Sequence, residues 1–192
     1  MKKHKLEVYE VVRLRFADIK PFIQAGSYEI NIGLSFLERE LADYEKDYGL
    51  ELNPDFQRGH VWTEAQQIAY MEFLLRGGKT ARVIYLNSPV FGDRREKGDL
   101  SDTLLCVDGL QRLTACLHFV RNEIPVFGTY YKDYEDRPSI TDGLLFNING
   151  LKKRSEVLQW YIEFNSGGTI HTEDEINRVK RLLADEQVKQ HK

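Results

Sequence analysis

The chain has 192 residues, of which 42% are hydrophobic, and this suits one globular domain with a sizeable core. Its 27 basic and 30 acidic residues leave a formal net charge of −3 at pH 7, which argues against a general nucleic-acid coat protein but not against a local basic patch. No apolar run is long enough to cross a membrane, and no apolar segment follows the charged N-terminus, so we expect a cytoplasmic protein without membrane contact. Cys106 and Cys116 lack the spacing of zinc ligands and are expected to be buried thiols.

The first half of the chain predicts strands alternating with helices. β-Branched and apolar residues predict a strand over residues 8–16. Apolar residues at helical spacing predict a helix over residues 35–48, which Gly49 ends as a C-cap. A Thr-Glu-Ala-Gln capping box opens a second helix over residues 63–75, and a short buried strand follows over residues 83–86.

The second half of the chain continues the alternation. Its predicted elements are, in chain order, a strand over 104–107, a helix over 110–120, an edge strand over 125–127, a loop over 130–143, a strand over 144–148, a helix over 154–164 and a final helix from 172 to 183. The polar residues 184–192 are expected to fray. Short strands interleaved with helices predict an α+β domain with a small sheet.

Residues 107–114, Val-Asp-Gly-Leu-Gln-Arg-Leu-Thr, combine several features that suit a phosphate. A predicted strand turns there on a glycine into a predicted helix, whose free N–H groups and positive dipole end attract an anion. Arg112 lies in the first helical turn, where a guanidinium can grip the same anion with two hydrogen bonds. Asp108 is placed to hold a metal ion or to accept a proton.

A second motif lies upstream, at residues 54–62, with the sequence Pro-Asp-Phe-Gln-Arg-Gly-His-Val-Trp. Together with Asp-Gly-Leu-Gln-Arg at 108–112 and Phe-Asn-Ser-Gly-Gly-Thr at 164–169, it resembles the N-terminal domain family of GmrSD-type modification-dependent restriction enzymes, within the ParB/sulfiredoxin superfamily. The resemblance implies one ParB/sulfiredoxin-like domain over residues 1–192, a small mixed sheet surrounded by helices. In this domain an extension over 1–50 precedes the core at 51–183, and a polar tail follows at 184–192.

The resemblance also implies a nucleoside triphosphate, ATP first among the candidates, and Mg²⁺. Asp108 is expected to act as general base or metal ligand, and His60 as a proton carrier, since an unperturbed histidine titrates near ~6.5. The implied nucleotide-binding residues are Gln57, Arg58, Gly109, Gln111, Arg112 and Thr114. Purely structural roles stay open: a turn-fixing hydrogen bond for Asp108, ion pairs for the two arginines, and packing for His60, where that role is favoured. Leu110 stands where sulfiredoxin has its catalytic cysteine, which argues against thiol chemistry at that position.

The expected partners are DNA, including DNA with modified bases, and a second copy of the chain. Lys152, Lys153 and Arg154 form the predicted DNA-binding group, although a solvated helix face explains them as well. The leading function is a nucleotide-dependent kinase of a hydroxymethylated DNA base. Two alternatives stay open: an NTPase subunit of a modification-dependent restriction system, and a nucleotide-gated binding module without catalysis.

Overall fold

The computed structural model describes residues 19–93, 95–139, 141–165 and 173–190, so the strand predicted over residues 8–16 lies outside the described part of the chain. The described residues form four strands and five α-helices, which confirms the α+β class. The elements are β1 Tyr28–Gly33, α1 Leu37–Tyr48, α2 Glu64–Leu75, β2 Val83–Asn87, β3 Leu105–Asp108, α3 Leu110–Val120, β4 Gly143–Asn149, α4 Arg154–Asn165 and α5 Glu173–Gln190. Single 3₁₀ turns occupy Leu34–Phe36, Pro89–Phe91 and Tyr131–Asp133.

One mixed sheet joins the strands in the order β1-β4-β2-β3. β4 pairs antiparallel with β1 and parallel with β2, and β2 pairs antiparallel with β3. β1 has no counterpart among the predicted elements; it pairs Ile30 with Phe146 and Ile32 with Leu144 of β4. This edge strand comes from the region before residue 50 and completes the sheet.

A β-bulge lies where β3 approaches its end. Tyr85 pairs with Asp108 and Leu86 pairs with Cys106, so Val107 is the extra residue on β3. Cys106 and Val107 are both fully buried, while Asp108 is half-buried. The bulge therefore brings the carboxylate to the surface at the point where the strand gives way to α3.

The sheet separates two hydrophobic clusters. Ile84 and Leu86 of β2 pack into the larger cluster, which includes side chains of α1, α2 and α3. Tyr85, which points to the other face, packs against a smaller cluster built around Val107 and Trp160 with α4 and α5. Because β3 is covered on both faces, a short strand of apolar residues suffices to hold Asp108 at a fixed place.

The helix boundaries confirm the predicted caps. Gly49 adopts a left-handed conformation, with φ of 64°, at the end of α1. Thr63 accepts a hydrogen bond from the Gln66 main chain, and the Gln66 side chain accepts one from the Thr63 main chain, which completes the capping box of α2. The second capping box begins at Thr172, outside the described residues.

Two sequence predictions are wrong. Residues 125–127 form no edge strand but lead into a tight turn in which Phe127 and Gly128 have φ of 49° and 75°, and Val126 and Thr129 exchange two main-chain hydrogen bonds. Residues 184–190 do not fray but continue α5, where Glu186 contacts Arg154 at 3.7 Å. Among the described residues, no helix is long and apolar enough to span a membrane.

Candidate functional site

A cavity of about 130 Å³ lies where the two sequence motifs meet the C-terminal half of α4. Asp108 and most of the predicted nucleotide-binding residues line it, namely Gln57, Arg58, Gly109, Gln111 and Arg112. Thr114 lies one turn further along α3 and His60 lies beside the cavity, and neither is among its lining residues. Sites for drug-sized ligands enclose about 300–1,000 Å³, so this cavity encloses one part of such a ligand.

Gly109 shapes the turn between β3 and α3. Its φ of 113° is left-handed, and a Cβ placed on it would lie 2.6 Å from Ile84 Cδ1. Glycine is therefore required both by the backbone conformation and by the space available. Among the described residues, no side chain caps the N-terminus of α3, and the first turn holds no acidic residue, so the electropositive end of the helix faces the cavity without a cap.

Arg112 and Asp108 form an ion pair at the cavity wall. Arg112 Nη2 donates to Asp108 Oδ2 at 2.5 Å, four residues apart along the chain. The Arg112 Nε is buried and has no hydrogen-bond partner among the described residues. A buried donor without an acceptor is costly.

Arg58 also pairs with a carboxylate. Its Nη1 lies 3.2 Å from Glu175 Oε2 at the start of α5, and both side chains are mostly buried. The structure thus brings both predicted cationic clamps to one cavity, and each already holds an acidic side chain. The two ion pairs leave the cavity wall close to electrically neutral.

The two predicted glutamines bind the main chain. Gln57 Nε2 donates to the Cys106 carbonyl at 2.5 Å. Gln111 Oε1 accepts from the amides of Val61 and Trp62 at 2.9 and 3.0 Å, and its Nε2 donates to the Gly59 carbonyl at 2.7 Å. These bonds tie the loop of the first motif to β3 and α3, so the glutamines hold the cavity together.

His60 belongs to a separate polar cluster. Gln67 is almost fully buried, with its Nε2 3.1 Å from His60 Nε2 and its Oε1 2.6 Å from His118 Nδ1. The amide thus bridges an imidazole that accepts and one that donates. Burial, with a smaller contribution from nearby His118, lowers the pKa of His60 below its ordinary value. Its contacts favour the structural role that the sequence also favours.

The three residues predicted to bind DNA lie in different surroundings. Lys152 is buried, and its ammonium donates to the Pro89 carbonyl. Arg154 Nη2 lies 2.8 Å from both carboxylate oxygens of Asp55. Lys153 is the exposed member of the group. Two of the three cations are therefore engaged in holding loops, and Lys153 is the one presented to solvent.

Three side chains of α4, Tyr161, Phe164 and Asn165, complete the cavity wall, and the sequence analysis assigns them no role in the site. Burial, with the nearby Glu175 carboxylate, raises the pKa of Tyr161. Phe164 packs on Tyr85 with ring centroids 4.3 Å apart. The signal that pointed to this place is the third motif, which begins at Phe164 and Asn165.

The donor set does not fit a resident metal ion. Among the described residues, no group of three or more His, Cys, Asp or Glu is placed to hold one. Asp108 is a single carboxylate already bound to Arg112. Mg²⁺ in nucleotide sites takes one or two carboxylates and completes its shell with phosphate and water, so an ion here would depend on the ligand that carried it.

Comparison with known proteins assigns most of the chain to one family. The model of the family described as GmrSD restriction endonuclease, N-terminal domain, matches residues 38–189, which include both motifs and every residue that lines the cavity. The comparisons with curated proteins and with solved structures gave no match. The match extends over most of the chain, and we conclude that the protein belongs to the family of GmrSD restriction endonuclease N-terminal domains.

Proposed function

We propose that the cavity binds the phosphates of a nucleoside triphosphate and that the domain is the nucleotide-hydrolysing component of a modification-dependent restriction system. Family membership points to a restriction system and to an interaction with DNA. The observation that carries the nucleotide part is the convergence of Arg58, Arg112 and the uncapped N-terminus of α3 on one cavity. The proposal includes membership of the ParB/sulfiredoxin superfamily. In that superfamily the phosphates lie over the turn that, in this chain, begins at Asp108.

The electrostatics favour a ligand with several negative charges. A helix N-terminus supplies about half an elementary charge, which is too little for a triphosphate. Two guanidinium groups add planar donors that match phosphate oxygens. The small volume suits phosphate groups, and the sugar and base of the ligand would extend beyond it, with Trp62 among the lining side chains that they could contact.

Asp108 is the side chain best placed for proton transfer. It lines the cavity at the end of β3 and is oriented by Arg112. In hydrolysis its carboxylate would accept a proton from the attacking water. In transfer of the phosphoryl group to the hydroxymethyl group of a DNA base, Asp108 would have the same role and would accept the proton from the hydroxyl instead of from water. The kinase implied by the resemblance is therefore the same site with another acceptor, and the two functions differ in where the phosphate goes.

Incubation with γ-labelled ATP, GTP or CTP, Mg²⁺ and DNA with ordinary or hydroxymethylated bases tests the proposal. Free labelled phosphate identifies the hydrolase, and label in the DNA identifies the kinase. We expect Asp108→Asn to lower turnover at least about 100-fold, the lower range for a lost general base, with its circular dichroism spectrum unchanged. Asp43→Asn, on the exposed side of α1, is the matched control. Nucleotide binding without turnover would reduce the domain to a gated module, and no binding of any nucleotide would overturn the proposal.

A further inference from the structure

The contact between Arg58 and Glu175 joins the cavity to α5. Arg58 Nη1 and Glu175 Oε2 are 3.2 Å apart, and the two side chains expose 22% and 25% of their surface. The residues lie 117 positions apart in the chain. A carboxylate from the last described helix therefore occupies the guanidinium that, in the proposed function, binds a phosphate.

The loop that carries Arg58 is held in place by other contacts. Arg178 of α5 donates to the carbonyl oxygens of Asp55, Phe56 and Gln57 at 2.6, 2.8 and 3.0 Å. Phe56 is buried in the smaller cluster beneath. The main chain before Arg58 thus has anchors that do not involve Glu175. The ion pair can open by a side-chain movement while the loop stays where it is.

We propose that Glu175 competes with the phosphate of the ligand for Arg58, so that α5 sets the affinity of the cavity; the inference rests on the proposed function. Glu175 and Asp108 pair with the two arginines of the wall, Arg58 and Arg112, so that two negative side chains balance two positive ones. A phosphate that bonds to the same edge of Arg58 must displace the Glu175 carboxylate, because both ligands need the same donors. Removing the charge of Glu175 leaves the wall with one surplus positive charge and an available donor.

Binding of inorganic pyrophosphate and of ATP, measured by isothermal titration calorimetry, tests this competition. We expect Glu175→Gln to lower the Kd of both ligands about 2- to 5-fold, the range that corresponds to the strength of a partly exposed ion pair. Asp174→Asn removes the same charge from the neighbouring exposed position on α5 and should change Kd less than twofold. Urea denaturation of each variant verifies that its fold is retained.

A double-mutant cycle shows whether Glu175 acts through Arg58. In an Arg58→Gln background, Glu175→Gln should give no gain in affinity, because the donor under competition is gone. Equal gains from Asp174→Asn, or a gain that persists without Arg58, would mean a general charge effect and overturn the inference. If the wild type binds and Glu175→Gln binds equally, the inference fails while the proposed function stands. If no variant binds pyrophosphate or any nucleotide, both fail.

Discussion

Substitution of Gly109 by alanine combines two separable costs at the turn before α3. A non-glycine residue in a left-handed conformation costs about 1–2 kcal/mol. The added Cβ would lie 2.6 Å from Ile84 Cδ1 and 3.2 Å from Ile84 Cα, and overpacking of this kind costs about 1–3 kcal/mol. We therefore expect Gly109→Ala to lower the free energy of unfolding by about 2–5 kcal/mol.

Gly49 provides the matched control. Its φ of 64° is also left-handed, but a Cβ there would meet no atom of the described residues within 4 Å, so Gly49→Ala carries the conformational cost without the steric one. Urea denaturation followed by tryptophan fluorescence should place Gly109→Ala about 1–3 kcal/mol below Gly49→Ala, the size of the overpacking cost. In an Ile84→Val background, which lacks Cδ1, Gly109→Ala should cost less than it does in the wild-type chain. Equal losses in the two glycine variants would refute the steric reasoning.

Three further outcomes are expected. Gln111→Ala removes three hydrogen bonds to a partly solvated loop and should cost about 1–2 kcal/mol in urea denaturation; a loss within measurement error would show that water replaces all three. Burial and His118 lower the pKa of His60, so the unfolded state takes up the proton at a higher pH than the folded state does. The free energy of unfolding should therefore be at its full value above the ordinary pKa near ~6.5 and fall as the pH drops below it. His60→Gln should flatten this decline between pH 7.5 and 5, and equal slopes in the variant and the wild type would contradict the reasoning. Burial raises the pKa of Cys106 to about 12 and also raises the pKa of Cys116. Ellman's reagent at pH 8 should therefore label these thiols no faster than the protein unfolds. Rapid labelling of the native protein would show that the thiols are accessible and contradict the prediction.

Local signals explain what the sequence predicts well. The capping box at Thr63, the glycine after α1 and the strand-turn-helix around Gly109 are each encoded within a few residues. The two motifs also indicate where the cavity forms, because residues of both line it. Such features survive folding because tertiary contacts reinforce the local preference.

Long-range pairing explains what the sequence misses. β1 is a six-residue edge strand whose partners in β4 lie more than 100 positions away, so its short alternation gives little signal alone. The structure brings Arg58 and Arg112, which the two motifs carry, to one cavity, but their acidic partners differ in kind. Asp108 lies four residues before Arg112, a spacing at which two side chains can meet, whereas Glu175 comes close to Arg58 only through the packing of α5. Tyr161 likewise reaches the cavity wall through tertiary packing, in this case the packing of α4.

The way α5 is attached has a consequence for dynamics. Among the described side chains of α5, Val179 is buried, and Leu182 and Leu183 are half-buried. Glu175 and Arg178 make polar contacts, for which hydrogen bonds to water can substitute. A helix with so little apolar area beneath it opens by local unfolding at a lower free energy than the sheet. Its amides should exchange with deuterium earlier than those of β4 in the intact native domain. The rate at which a bound molecule leaves the cavity would then depend on local unfolding of α5 rather than on the slower opening of the sheet.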